Sequence, residues 1–320
     1  MIILPLLFLI RANLSSSLLS AEIDSPTVQP ADTLTITTEV SPTISAVAVA
    51  HTNINPPTLT LEPTVGIYNI RLRKIDGMEQ VFVPAGSFTM GSDYEEEREK
   101  PEHTVWLDDY WIDAYEVTNA QYAMCVSAGV CNAPDYRNSL TQNKYYGNTS
   151  FDNYPVLFVS WYDAYDYCGW VGGRLPTEAE WEKTARGDQD ARMFPWGDYF
   201  ASNYANLCDQ NCTMSWRNRN YNDGYIDTAP VTDFPDGVSQ FGAMNMSGNV
   251  CEWVADWYKA DYFYNKQDWS EPTGPESGST RVIKGGSWYD DTDILRVSAR
   301  YGYDPNKSFY DVGFRCVSDP

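Results

Sequence analysis

The sequence predicts an α+β fold, on three observations. Three helices, each announced by a cap, are bunched between Thr118 and Gly187. Strand patterns lie before them and near the C-terminus, with no βαβ alternation. Beyond Gly187 regular signals thin out for about a hundred residues, a length that compact domains rarely leave structureless without some other restraint.

Taken in order, residues 1–21 open with the apolar run MIILPLLFLI, too short to span a bilayer and of the length of a signal-peptide core. No basic residue precedes it, which leaves an uncleaved membrane tether as the other reading. Residues 22–70 are dominated by Thr, Pro, Ser and Val, and prolines interrupt every candidate strand. Such a composition buries too little apolar surface to offset ordering and reads as a linker. A signal followed by a Thr/Pro stalk places the remainder, residues 71–320, outside the cytosol as a secreted or tethered domain.

In that domain GMEQVFVPAGSFTMGS alternates in strand fashion, and HTVWLDDYWIDAYEV reads as a hairpin or bent strand pair around Asp108 and Asp109. Thr118 with Gln121 makes a capping box for the first helix, which stops at Gly129. Ser160 caps the second, whose Trp161, Ala164, Tyr165 and Cys168 share one face. Thr177 with Glu180 opens the third, closed by Gly187. The remaining strands are expected at Arg281 to Ser287 and Val312 to Val317.

Composition narrows the function. A formal net charge of −22 argues against nucleic acid, because phosphate binding needs a basic field. Aromatic residues make up 14% of the chain and many lie beside Gly, Asn and Asp, as in loop-rich folds whose rings pack under irregular backbone. The chain has seven cysteines, and an exported chain makes disulfides the default. Cys125 with Cys131 and Cys208 with Cys212 are close enough in sequence to pair, each closing a loop worth roughly 2 kcal/mol. Cys168, on the inner helix face, and Cys316, in the last strand, would together clamp the chain end to the helical layer for about 4 to 5 kcal/mol. Cys251 is left over, a small buried hydrophobe by its neighbours. With His51 and His103 the only histidines and no CxxC, metal ligation is a poorer reading of the cysteines than disulfides.

The segments VFVPAGSFTMGS, YEVTNAQY, YPVLFVSWYDAYDYC, GRLPTEAEWEKTARG, FPWGD, FGAMNMSGNVCEWVADWY, RVIKGGSW and VGFRCV follow one another in this order. As a set they resemble the formylglycine-generating enzyme, or sulfatase-modifying factor, family from about Gly77 to Val317. The resemblance implies that family's elaborated C-type-lectin-like α+β fold, poor in regular structure. It also implies an activity: oxidation of a sulfatase cysteine to formylglycine with molecular oxygen, on copper held by two cysteines that follow the GGS element.

Here the positions after GGS read Trp288, Tyr289, Asp290, Asp291, Thr292, Asp293, Ile294 and Leu295, without a thiol. The first family cysteine falls on Asp290 and the second on or near Leu295. Monovalent copper prefers thiolates to carboxylates, so copper is not expected. The family's inner disulfide would join positions matching Ala185 and Val297, and both halves are missing, while its other disulfide matches Cys168 and Cys316. The resemblance further implies two Ca²⁺ sites. One uses side chains matching Asn206 and Asp223 with backbone oxygens of Leu207 and Tyr225. The other uses Asn245 and Glu252 with backbone oxygens of Gly248 and Val250. Two such ions would supply the restraint that the irregular region needs.

The favoured reading is therefore a binding or accessory module that takes a protein, peptide or glycan on Ser287, Trp288, Tyr289, Asp290, Asp291, Asp293, Arg300, Tyr301 and Tyr303. Rings give contact area at low entropy cost, and Asp and Ser add hydrogen bonds. Two alternatives stand beside it. One is residual oxidation through Cys251, or through a harder metal on Asp290, Asp291 and His103. The other is a retroelement-diversified ligand-binding protein, which requires a downstream near-copy of the GGSW stretch beside a reverse transcriptase.

Overall fold

The computed structural model describes residues 68–188, 191–265 and 269–320. The signal-like run and all but the end of the 22–70 linker lie outside the described residues. Strands β1 (Ile70–Leu72), β2 (Glu79–Val83), β3 (Gly86–Met90), β4 (His103–Leu107) and β5 (Tyr110–Asp113) precede helices α1 (Asn119–Ser127), α2 (Trp161–Trp170) and α3 (Glu178–Arg186). Then follow β6 (Cys251–Trp257), the single turn α4 (Tyr262–Asn265), β7 (Arg281–Lys284), β8 (Arg300–Tyr303), β9 (Val312–Phe314) and β10 (Val317–Ser318).

Both expected capping boxes form, and the expected cap at Ser160 proves to be a third. The side chains of Thr118, Ser160 and Thr177 accept from the amides of Gln121, Asp163 and Glu180, and each third residue returns the bond. Each box satisfies two donors that the first helical turn would otherwise leave orphaned.

The strands differ from expectation in three places. Pro84 and Ala85 break the first alternating stretch into β2 and β3, which enter different sheets. β4 and β5 flank Asp108 and Asp109 but do not pair with each other. β4 pairs with β3, whereas β5 lies between β2 and β10. Finally, β1, β6 and β8 arise where no strand was expected. The resulting four-stranded sheet runs β8-β7-β6-β9, with β6 and β9 parallel, so the chain end is drawn in beside the GNVCEW segment.

Two apolar clusters fill the space between these layers. One gathers Trp161, Tyr167 and Cys168 of α2 with Trp253, Ile283 and Phe314 of the sheet. Tyr165, expected on that inner face, is instead 53% exposed and stacks on Trp161, while Tyr167 takes the buried place. The other cluster packs Trp181 of α3 against Val254, Val282 and the first two sheets.

Every residue of α3 is buried, including its charges. Glu182 accepts from Lys284 at 2.8 Å and from Arg186 at 2.9 Å, and Glu178 pairs with Arg300 at 2.6 Å. Burial works against ionising Glu182, yet the two cations hold its carboxyl down at about 2. Below these pairs Arg315 binds Glu252 through two nitrogens, at 2.7 and 2.6 Å, and donates to the carbonyls of Asp113 and Met244. These bonds tie the last segment of chain to β6, to β5 and to the loop that precedes β6.

Candidate functional site

The site grows out of the end of β7. Gly285 and Gly286 adopt φ of +90° and +67°, and a Cβ on Gly286 would lie 2.9 Å from Leu295, so only glycine makes this turn. The turn delivers Ser287 to Asp290. Its backbone N–H and hydroxyl both donate to Asp290 Oδ2, at 3.2 and 2.8 Å. Cys251 Sγ lies 3.9 Å from the same oxygen. Burial, together with the Asp290 and Asp311 carboxylates, pushes the Cys251 thiol well above its ordinary range, so it stays protonated and poorly nucleophilic. Leu295 lies in an apolar cluster with Phe194, Ala205 and Leu207, and its carbonyl accepts from Ser247 Oγ at 2.6 Å. Asp290, where the resemblance puts the first cysteine, is thus a carboxylate held by a serine, and Leu295, on or near which it puts the second, is a core aliphatic.

Around this floor stands a set of half-buried rings joined by the exposed Trp216. Tyr289 meets Tyr310 at 5.1 Å and Trp216 at 5.2 Å, Tyr303 meets Phe309 at 4.6 Å, and Arg98 covers Tyr301 at 4.2 Å. Trp216 and Met214, which sequence reasoning passed over, arrive on the loop pinned by Cys208 and Cys212. Trp216 Nε1 donates to the Tyr289 carbonyl and Tyr289 Oη to Met214 Sδ. Asp291 is half-buried and Asp293 exposed.

Three expected ligand contacts are corrected. Ser287 and Trp288 are buried beneath the face. Arg300 points to the opposite side of β8 from Tyr301, because side chains alternate along a strand, and is taken up by Glu178. Two surface concavities, of about 480 and 440 Å³, are lined by Tyr68, Asn69, Ile70, Phe82 and Trp111 and by residues 191, 192 and 196–198. Neither includes a ring of this face.

The calcium set can be tested on the buried oxygens. Asn206 Nδ2 donates to the Asp227 carbonyl and to Asn249 Oδ1, and Asn245 Nδ2 donates to Glu116 Oε2 and the Val231 carbonyl. Carbonyl and carboxylate oxygens only accept, so both amide nitrogens are fixed and each Oδ1 must face away. Both Oδ1 atoms are buried without a partner. An unpaired buried acceptor costs about 1–3 kcal/mol, and here two sit where the resemblance calls for cation ligands.

Asp223 accepts the amides of Leu207 and Tyr225, at 2.9 and 2.8 Å. Burial and the neighbouring Asp209 carboxylate push its pKa up to about 7, an energetic debt that a hard cation would relieve. Asp209, fully buried, was missed by sequence reasoning. Glu252 shares its oxygens with Arg315 and Trp181 Nε1, so at the second site Asn245 supplies the open donor. The residues present fit calcium at both places.

The harder-metal alternative finds no such support. His103 is packed between Phe263 and Trp269, with Nδ1 against the Pro101 carbonyl. Among the described residues no group of three His, Cys, Asp or Glu side chains converges to hold an ion. Disulfides join Cys125 to Cys131, Cys168 to Cys316 and Cys208 to Cys212, and Cys251 is free. Ala185 and Val297, where the family's inner disulfide would lie, are both buried in the α3 cluster.

Residues 70–320 match the model of the sulfatase-modifying factor enzyme 1-like domain. The formylglycine-generating enzyme of Thermomonospora curvata is 35% identical over 75% of this chain and 93% of its own length. An inactive C-alpha-formylglycine-generating enzyme 2 of Bos taurus is 31% identical over 75% of this chain and 88% of its own. Among solved structures, PvdO from Pseudomonas aeruginosa superimposes with a TM-score of 0.63 at 28% identity, over 79% of this chain and 98% of that one. Treponema denticola variable protein 1 does so with a TM-score of 0.61 at 22% identity, over 80% and 100%.

Proposed function

The chain belongs to the sulfatase-modifying factor family, and from that membership we propose that it is a calcium-stabilised extracytoplasmic binding module, not a copper-dependent oxidase. The observation that carries the reading is the pair of positions after the GGS turn. Asp290 is a carboxylate engaged by Ser287, and Leu295 is fully buried in apolar contacts. Neither donates a thiolate, and soft monovalent copper has no pair of sulfur ligands there. Cys251 alone, protonated and 4% exposed, does not replace them. The family contains an inactive relative as well as active ones, so loss of the chemistry is compatible with the fold.

What remains at the site is a shallow face of rings and carboxylates. Its ligand is a protein, peptide or glycan laid against Tyr289, Tyr301, Tyr303 and Tyr310, with Asp291 as an acceptor, since Asp290 is buried and engaged by Ser287. The surplus negative charge argues against nucleic acid. Three disulfides among the described residues support an oxidising compartment.

The test is incubation of the full chain with a Cys-x-Pro-x-Arg peptide, monovalent copper and oxygen, followed by an aldehyde probe. No aldehyde is expected, and a competing copper chelator should keep all its metal. Aldehyde formation that disappears on Cys251→Ala would restore the enzymatic reading.

Calcium at Asn206, Asp223 and the Leu207 and Tyr225 carbonyls, and at Asn245, Glu252 and the Gly248 and Val250 carbonyls, would neutralise buried charge and fasten irregular loops. For each ion at about a thousand times its dissociation constant the native state gains about 4 kcal/mol. Removing both ions, about 8 kcal/mol together, should therefore lower the melting temperature by roughly 16–32 °C, and Ca²⁺ should restore it. An unchanged melting temperature in chelator would remove calcium from this account.

A further inference from the structure

The two calcium sites are joined by a buried relay that neither supplies as a ligand. Asn206, at the first site, donates to Asn249 Oδ1 at 3.1 Å. Asn249 Nδ2 donates to Glu116 Oε1 at 2.9 Å, and Glu116 Oε2 receives Asn245 Nδ2, from the second site, at 2.8 Å. Asn249 and Glu116 are 0% exposed. Asn249 holds a φ of +62°, a conformation that side chains other than glycine rarely adopt. Its backbone N–H donates to the Asn206 carbonyl, its carbonyl accepts from Trp288 N–H, and its Oδ1 also accepts from Ala229 N–H. One residue therefore touches the first site, the turn beneath the ring face, and the carboxylate that orients the second site.

We propose that Glu116 and Asn249 are positioning residues that aim the Asn206 and Asn245 carboxamide oxygens at their cations and couple the two sites. The chemistry is directional. Glu116 accepts with both oxygens, which compels Asn249 and Asn245 to present their NH₂ groups inward. Asn249, so oriented, presents its oxygen to Asn206, which then turns its own oxygen outward. The two orphaned oxygens share this cause, and the Asp227 and Val231 carbonyls hold the same two amide nitrogens in the same sense. Occupation of one site fixes the relay for the other, so the second ion binds a carboxamide already in place. Partners one bond removed from a metal typically change its affinity 10–100-fold when removed.

The inference rests on the calcium reading above, and the experiment separates the two. Calcium binding to the full chain is followed by titration calorimetry and by the calcium-induced rise in melting temperature. The variants are Glu116→Gln, which leaves one asparagine amide facing a donor, and Asn249→Gly, which keeps the positive φ but removes the amide. Both should weaken each site about ten-fold or more, and both should shrink the calcium-induced rise in melting temperature. A purely structural role would lower the chelated and loaded melting temperatures together and leave that rise unchanged. Asp223→Ala, at the first site, should also weaken calcium at the second.

Two tightly bound ions unaffected by Glu116→Gln and Asn249→Gly, or a second site indifferent to Asp223→Ala, would overturn the relay while leaving calcium in place. Failure of the unaltered chain to bind calcium would overturn both.

Discussion

Replacing Cys168 and Cys316 together by alanine is expected to lower the unfolding free energy by about 5 kcal/mol in the chain-entropy account. The bond spans 148 residues and joins α2 to the segment between β9 and β10, so it encloses more than half of the described domain. Its removal frees the unfolded chain and also loosens the docking of β10 on β5. Urea unfolding of the double variant should show a lower midpoint together with a steeper dependence on denaturant, because the unlinked chain exposes more surface. An unchanged midpoint would mean that calcium and the buried ion pairs already hold the chain end.

Arg315→Met is expected to cost about 3–5 kcal/mol, since it strands a carboxylate in the interior instead of merely deleting a contact. Glu252 is 0% exposed and takes both oxygens' bonds from Arg315, with one more from Trp181. Glu116 lies close enough to feel the same guanidinium, and burial already pushes its pKa up to about 7. Loss of Arg315 would leave two buried carboxyls with no cation between them. Thermal unfolding in saturating calcium tests the scale of the loss. A decrease below 1 kcal/mol would show that calcium at Glu252 offsets most of it.

Much of the fold was legible wherever the signal is local. A capping box is complete within four residues, so Thr118, Ser160 and Thr177 announced their helices without knowledge of the tertiary structure. β6 was hidden for the opposite reason. Most of its residues are buried on both faces, so it shows no alternation, and it becomes a strand only between β7 and β9. β8, reading RYGY, resembles a polar turn until β7 pairs with it.

The site divides along the same line. Asp290 and Leu295 could be placed by the GGSW resemblance, as could the four side chains expected to meet calcium. Asp209, Glu116, Asn249 and Trp216 could not, because each acts through a partner distant in sequence. Arg300 looked like a surface contact among tyrosines, and only the two-residue repeat of β8 sends it inward.

The charges of α3 carry a final consequence. Glu178, Glu182, Lys183 and Arg186 are all enclosed, and the two carboxylates pair with Arg186, Lys284 and Arg300 in the interior. Dissolved electrolyte weakens attraction between charges that it can surround, and it reaches these pairs poorly. What it does reach is the outer crowd of carboxylates, which repel one another. In briny surroundings the molecule therefore sheds its main electrostatic burden while keeping its internal cement.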